Sequence, residues 1–226
     1  MTVSSDQVAK NDKREFVIEN DTVRITYRFA GINTPVQLSI YNKTEASLEV
    51  NWKKSALIMN NQATSYFSPG ITLQGITELD TIKRDRAIYG QAYGTGTRYL
   101  SDFKGNITVP EPVEVIFPRS SIERASVMVP VPFINGVGME SQPKQKIIMA
   151  DDSRIIYRRL DFTASRSPVH FSSYLTFISG GKEVTLEHRF YVSELLQSGV
   201  SPHNFPAEIT SRPDLVYASG SREAGY

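Results

Sequence analysis

Residues 36–52 of this chain alternate apolar and polar side chains with a period of two, broken once by Asn42-Lys43-Thr44-Glu45. Val36, Leu38 and Ile40 alternate with Gln37, Ser39 and Tyr41. After the break, Leu48, Val50 and Trp52 alternate with Glu49, Asn51 and Lys53. Successive side chains of a strand point to opposite faces, so each run describes a strand with one wet and one dry side. The polar break between them predicts a hairpin, with Trp52 in the dry row. This pattern constrains the fold class without constraining an activity.

The same period recurs along the chain. It predicts strands over 16–19, 23–29, 56–59, 113–117, 122–129, 154–162, 169–178 and 184–192. Ser179-Gly180-Gly181-Lys182 reads as a tight hairpin turn, because glycine reaches positive φ without strain. Ser193 to Gly199 reads as one capped helical turn, with serine at its start and glycine just past its end. Roughly nine strands with little helix predict an antiparallel β-sandwich of Ig-like type, all-β, with one long loop insertion. Residues 15–198 form that single domain. Residues 1–14 read as a disordered or extended arm, residues 136–146 as a loop, and residues 199–226, rich in Pro, Ser and Gly, as a C-terminal tail. The insertion spans 60–112 and holds no sustained period of either kind. A strand over 71–79 and a short polar helix over 78–87 are both open within it.

Composition narrows the function classes. The 226 residues are 40% hydrophobic and 22% charged, with a formal net charge of +1 and scattered Lys and Arg. A phosphate backbone attracts clustered cations, and there is no such stripe, which argues against nucleic acid as a partner. No run of about 18 apolar residues provides a membrane span. Cysteine is absent, which excludes thiol catalysis and a disulfide framework. Residues 1–13 are polar. The expectation is a cytoplasmic or virion protein, or an envelope or periplasmic one whose leader has been removed.

The run LSIYNKTEASLEVNWKKSALIMNN, residues 38–61, resembles the strand-turn-strand of uncharacterised, mostly lipoprotein-like envelope proteins from Bacteroidota. Ile40, Asn42, Lys43, Thr44, Trp52, Lys54 and Ser55 carry the resemblance, and VIFPRSSI, residues 115–122, resembles a downstream segment of the same proteins. A looser likeness to extracytoplasmic bacterial Ig-like sandwiches rests on the same Asn-Lys-Thr turn. The resemblance implies an envelope location. It implies no activity, and the lipid anchor of those proteins has no acceptor cysteine here.

No catalytic signature is present: no G-x-S-x-G, H-E-x-x-H, phosphate-binding glycine loop or C-x-x-C. No cofactor or metal is expected. His188 falls in an apolar row between Leu186 and Phe190 and reads as a hydrogen-bonded core residue, whereas His170 reads as exposed and His203 lies in the tail. Asp151-Asp152 reads as a solvated turn. The sequons at Asn20, Asn42 and Asn106 read as coincidence. The Tyr-rich insertion is the candidate binding surface, through Tyr66, Phe67, Tyr89, Tyr93, Arg98 and Tyr99, because aromatic rings with a polar tip suit partner surfaces and sugar faces. Capping one end of the sandwich is the alternative role of these rings. The leading expectation is a non-catalytic structural or interaction module of a bacterial cell-envelope assembly, binding protein partners. A glycan-binding or glycan-active protein using Asp80, Asp85, Asp151 and Asp152 is one alternative. A virion-associated structural protein is another.

Overall fold

The computed structural model describes residues 1–32, 35–67, 72–84, 87–88, 91–92, 96–108, 111–129, 138–148, 154–201 and 204–217. The chain divides into two compact units, one made of Met1–Ser68 and Pro112–Tyr226, the other of Pro69–Glu111.

The first unit holds two antiparallel sheets. The five-stranded sheet runs in the order Ser121–Met128, Pro35–Asn42, Val23–Arg28, Phe16–Glu19, Ala9–Lys10. The nine-stranded sheet runs Val113–Ile116, Leu48–Asn51, His170–Ser179, Lys182–Ser198, Arg154–Asp161, Lys144–Ile148. Thr2–Ser4 adds to Lys182–Ser198, while Ala56–Met59 adds to His170–Ser179 with Gln62–Ser65 beside it. The alternating residues do what their period dictates: Val23, Ile25, Tyr27, Val36, Leu38, Ile40, Leu48, Val50 and Trp52 are all buried in one hydrophobic cluster.

Five aromatic rings interlock at its centre. Phe16 and Phe29 come from the five-stranded side, with Tyr27 in the strand between; Phe171 and Phe190 come from the nine-stranded sheet. Phe190 meets Phe16, Tyr27 and Phe29 edge to face at 5.3, 5.1 and 5.2 Å and stacks on Phe171 at 5.4 Å. Each such ring buries on the order of 2–3 kcal/mol of apolar surface, and each edge-to-face pair adds about 1 kcal/mol.

The run at 36–52 is not a hairpin. Pro35–Asn42 pairs with Val23–Arg28 and Ser121–Met128, while Leu48–Asn51 pairs with Val113–Ile116 and His170–Ser179, so the polar break carries the chain from one sheet to the other. Asn42 makes the crossing. Its fully buried amide donates to the carbonyls of Ala46 (2.8 Å), Ile116 (3.1 Å) and Phe117 (3.3 Å), and its Oδ1 accepts from Thr44 N and Oγ1. By contrast the Gly180-Gly181 turn forms as expected, with φ of 55° and 76° and Ser179 paired to Lys182. Asn60 and Asn61, at φ 50° and 62°, make the equivalent turn before Gln62–Ser65.

Four further expectations are corrected. Residues 193–198 are strand and not a helical turn: Thr2 pairs with Glu194 and Val3 with Val192, leaving Ser193 as a bulge. The extra residue shifts the buried row from His188, Phe190 and Val192 to Leu195, and that broken alternation imitated a helix. The arm at 1–14 belongs to the body. Val3 and Val8 are buried, and Val3 N donates to Asp214 O at 2.8 Å. The tail is anchored likewise, with Val216–Tyr217 pairing in parallel with Gly31–Ile32 and Leu215 and Val216 buried. Beside them Asp214 is almost wholly enclosed. Burial alone would raise its pKa, but hydrogen bonds from Arg212 (3.0 Å) and Lys10 (2.7 Å) outweigh this and hold it below the ordinary carboxylate value. Finally, the loop read at 136–146 yields in part to an edge strand, Lys144–Ile148.

The second unit is a hairpin: the strand that 71–79 suggests is present within Thr72–Arg84, and the same strand replaces the short polar helix suggested over 78–87 as far as residue 84. Thr72–Arg84 pairs with Gly96–Thr108 without a break in register, from Thr72 opposite Thr108 to Arg84 opposite Gly96, and Ala87–Ile88 pairs with Gln91–Ala92. Ile76, Ile82 and Leu100 share the even positions with the charged residues, while Thr, Ser and Gly dilute the odd ones, which hid the strand period. Among the described residues, no helix is long and apolar enough to cross a membrane.

The ring contacts predict that Phe190→Ala lowers the unfolding free energy by about 3–5 kcal/mol, while Phe117→Ala, at a ring 67% exposed, changes it by less than about 0.5 kcal/mol. Urea unfolding followed by tryptophan fluorescence measures both. Equal losses would show that Phe190 is not the hub of the core.

Candidate functional site

The candidate binding residues separate when placed on the fold. Tyr66 is fully buried in the core of the first unit and edge-on to Trp52 at 6.3 Å, so it is a core residue and presents nothing to a partner. Phe67 is partly buried against the same core. Arg98 and Tyr99 lie in the strand Gly96–Thr108, opposite Ile82 and Thr81. Tyr89 and Tyr93 lie outside the described residues, as do Asp85, Asp151, Asp152 and His203. Of the acids considered for glycan chemistry, Asp80 alone is placed, in the strand Thr72–Arg84 opposite Leu100.

The hairpin's register sorts its residues into two faces. Leu73, Thr77, Leu79, Thr81, Tyr99, Ser101, Phe103 and Ile107 occupy the odd rows. The even rows hold all the charges of the ladder except Lys83, which is opposite Thr97: Glu78 opposite Asp102, Asp80 opposite Leu100, Ile82 opposite Arg98, Ile76 opposite Lys104, and Arg84 opposite Gly96. In the described ladders each of these strands pairs only with the other. A two-stranded ladder is marginally stable by itself and gains from a further strand or an apolar cover.

A second constellation, which only the structure assembles, lies inside the first unit. Tyr27 Oη donates to Ser173 Oγ at 2.9 Å, Tyr66 Oη lies 2.9 Å from the same oxygen, and Tyr27 Oη is 2.7 Å from His188 Nδ1. Tyr27, Tyr66 and Ser173 are fully buried and His188 nearly so. Burial pushes both phenols well above their ordinary pKa, with the Ser173 hydrogen bond opposing only weakly. Burial likewise drives His188 down to about 4, against a small opposing pull from Glu187. At neutral pH the imidazole is therefore uncharged. The arrangement satisfies polar groups within the core, as expected for His188, and its hydroxyls are buried.

Trp52 is buried, and Arg124 and Glu114 cover it. The Arg124 guanidinium lies 4.5 Å from the ring centroid and 3.3 Å from Glu114, while the indole Nε1 donates to the same Glu114 oxygen at 2.8 Å. The shallow groove beside it, about 170 Å³, lies where the register of Ser121–Met128 slips past Arg124. Its polar walls include Arg28, which is engaged by Glu15 at 2.7 Å. His170 is exposed, as its alternation indicated, with Nε2 2.6 Å from Ala164 O. Among the described residues, no group of three or more His, Asp or Glu could hold a metal ion.

Sequence reasoning missed the edge strand Lys144–Ile148. Its one pairing partner in the described ladders is Arg154–Asp161, so its other side is the end of the nine-stranded sheet. The signal was present as Lys-x-Lys-x-Ile, a period-two row too short to stand out beside a glycine and proline run. No protein-family model, curated protein or solved structure matches the chain.

The His188 environment sets a pH dependence. The unfolded imidazole titrates near 6.5 and the folded one near 4, so the unfolded chain holds the additional proton between these values. The contribution to stability is complete above pH 6.5 and declines as the pH falls toward 4. The urea midpoint is expected to be lower at about pH 4.5 than at about pH 7, and His188→Gln should narrow that difference. Identical pH profiles for the wild type and His188→Gln would exclude His188 as the group responsible.

Proposed function

We propose that this chain is a non-catalytic interaction module, an Ig-like β-sandwich serving a bacterial cell-envelope assembly, and that the Thr72–Thr108 hairpin carries its contacts with a protein partner. The observation behind this reading is the hairpin itself. It forms a compact unit of its own, it sorts into a mainly uncharged face and a charged one, and its two strands have no third neighbour in the described ladders. Such a ladder supplies backbone donors and acceptors along its edges and alternating side chains for specificity, which is how strand addition recognises a partner. The envelope location is supported by the resemblance carried by Ile40, Asn42-Lys43-Thr44, Trp52 and Lys54-Ser55.

The test removes the second unit alone. Tyr66 belongs to the core, so the excision starts beyond it: residues 69–111 are replaced by a short Gly-Ser linker. The expected product keeps a cooperative β-sheet melt and loses partner capture in pull-downs from the native host. A product that fails to fold would make the hairpin part of the core. A folded product that still captures the partner would move the contact surface elsewhere.

A further inference from the structure

Resting on that reading, we propose that the partner is a second copy of this chain: the Thr72–Arg84 strand of one molecule adds, antiparallel, to the edge of Lys144–Ile148 in the next, the edge that no described strand pairs.

The receiving edge has an unusual charge. Its register with Arg154–Asp161 sets Lys144 opposite Arg158, Lys146 opposite Ile156 and Ile148 opposite Arg154, all on one face. That face holds four cations, two isoleucines and no carboxylate. Ile148 and Ile156 are 60% and 57% exposed. Among the described residues none of the four cations has an ion-pair partner, and the buried Arg158 Nε has no hydrogen-bond acceptor. Lysines on a sheet edge repel other cationic edges and discourage indiscriminate pairing. They admit a strand that brings carboxylates at the same spacing.

Thr72–Arg84 is such a strand. Ile76, Glu78, Asp80 and Ile82 share one face of the hairpin, an apolar-acid-acid-apolar row at the spacing of Lys144, Lys146 and Ile148. Antiparallel addition sets Asp80 opposite Lys144, Glu78 opposite Lys146 and Ile76 opposite Ile148. The reverse face then pairs Leu79 with Gln145 and Thr77 with Ile147. Directly opposed strand residues of opposite charge stabilise a pairing and like charges destabilise it, so the register is selected by two ion pairs and one apolar pair. The donor edge and the receiving edge are different surfaces, so the contact is heterologous. It leaves one edge of each kind open at the ends of every pair and propagates into a ring or a filament.

The experiment is sedimentation velocity on the full chain over a concentration series, with charge-reversed variants. The wild-type chain is expected to form species beyond a dimer as concentration rises, and less so at high salt. Lys144→Glu with Lys146→Glu, and separately Glu78→Lys with Asp80→Lys, should each weaken self-association by roughly a hundredfold or more, because each now opposes like charges. Mixing the two variants should restore assembly beyond a pair, since the unaltered acidic strand of one meets the unaltered lysine edge of the other, and the charge-reversed strand meets the charge-reversed edge. Ile148→Asp, at an exposed position, should weaken wild-type assembly without changing the melting curve, and it serves if a charge-reversed chain fails to fold. A wild-type chain that stays monomeric throughout, or variants that assemble like wild type, or a mixture that does not assemble beyond a pair, would overturn the inference. A monomeric chain whose hairpin is still needed for capture of another protein would leave the interaction reading standing; loss of neither on excising residues 69–111 would end both.

Discussion

The contact of Phe190 with Phe16, Tyr27, Phe29 and Phe171 is the interaction on which the first unit depends. Each sheet has one apolar face, and neither is stable in water until that face is covered. Rings that meet edge to face fill the gap between the layers with fixed geometry, and the smaller Val, Ile and Leu residues pack around them. Two polar devices then fix how the layers sit. Asn42 ties the end of Pro35–Asn42 to the carbonyls of Ile116 and Phe117 across the crossing. Ser173 receives Tyr27 from the opposite sheet and Tyr66 from beyond Gln62–Ser65. Buried hydroxyls and amides are costly unless paired, so these bonds penalise any other register of the two sheets.

That economy of the core has a consequence for function. A tyrosine, a serine and a histidine within hydrogen-bonding distance would suggest nucleophilic chemistry if they opened to solvent. Here they are enclosed, the phenols are held protonated and the imidazole is held neutral, so the same groups serve as internal fasteners. The unspent bonding capacity of the described fold lies instead along strand edges. Unpaired backbone groups at the rim of a sheet invite a further strand, and the residues beside them decide which strand is accepted. The lysine row of Lys144–Ile148 and the acidic row of Thr72–Arg84 are complementary in that sense.

The candidate site was only partly legible in the sequence. Nearness along the chain groups the tyrosines, but Tyr66 turns inward beside Trp52 while Tyr99 sits in the hairpin of the other unit. Proximity in sequence does not say which side of a strand a ring takes once the alternation lapses. The sequon at Asn42 illustrates the reverse: its amide is buried and spent on three carbonyls, so no glycan could attach there. Lys144 and Lys146 carried a readable period, yet a row of three positions gains meaning only when a neighbouring strand shows which edge is free.

What the sequence determined by itself is the set of strands with a strict two-residue period, such as 23–28 and 35–42, the identity of their buried row, and the burial of Trp52, which itself opens a 3-10 turn just past Leu48–Asn51. Those features follow from local geometry: a strand must place alternate residues on opposite sides, and water sorts them. The tertiary structure alone decided which strand pairs with which, that residues 36–52 cross between sheets, that Ser193 bulges, and that both ends of the described chain are fastened to the body through Val3, Asp214 and Val216. These depend on contacts between residues far apart in the chain, where the same alternation is satisfied by many partners and only the fit of particular rings, amides and charges chooses among them.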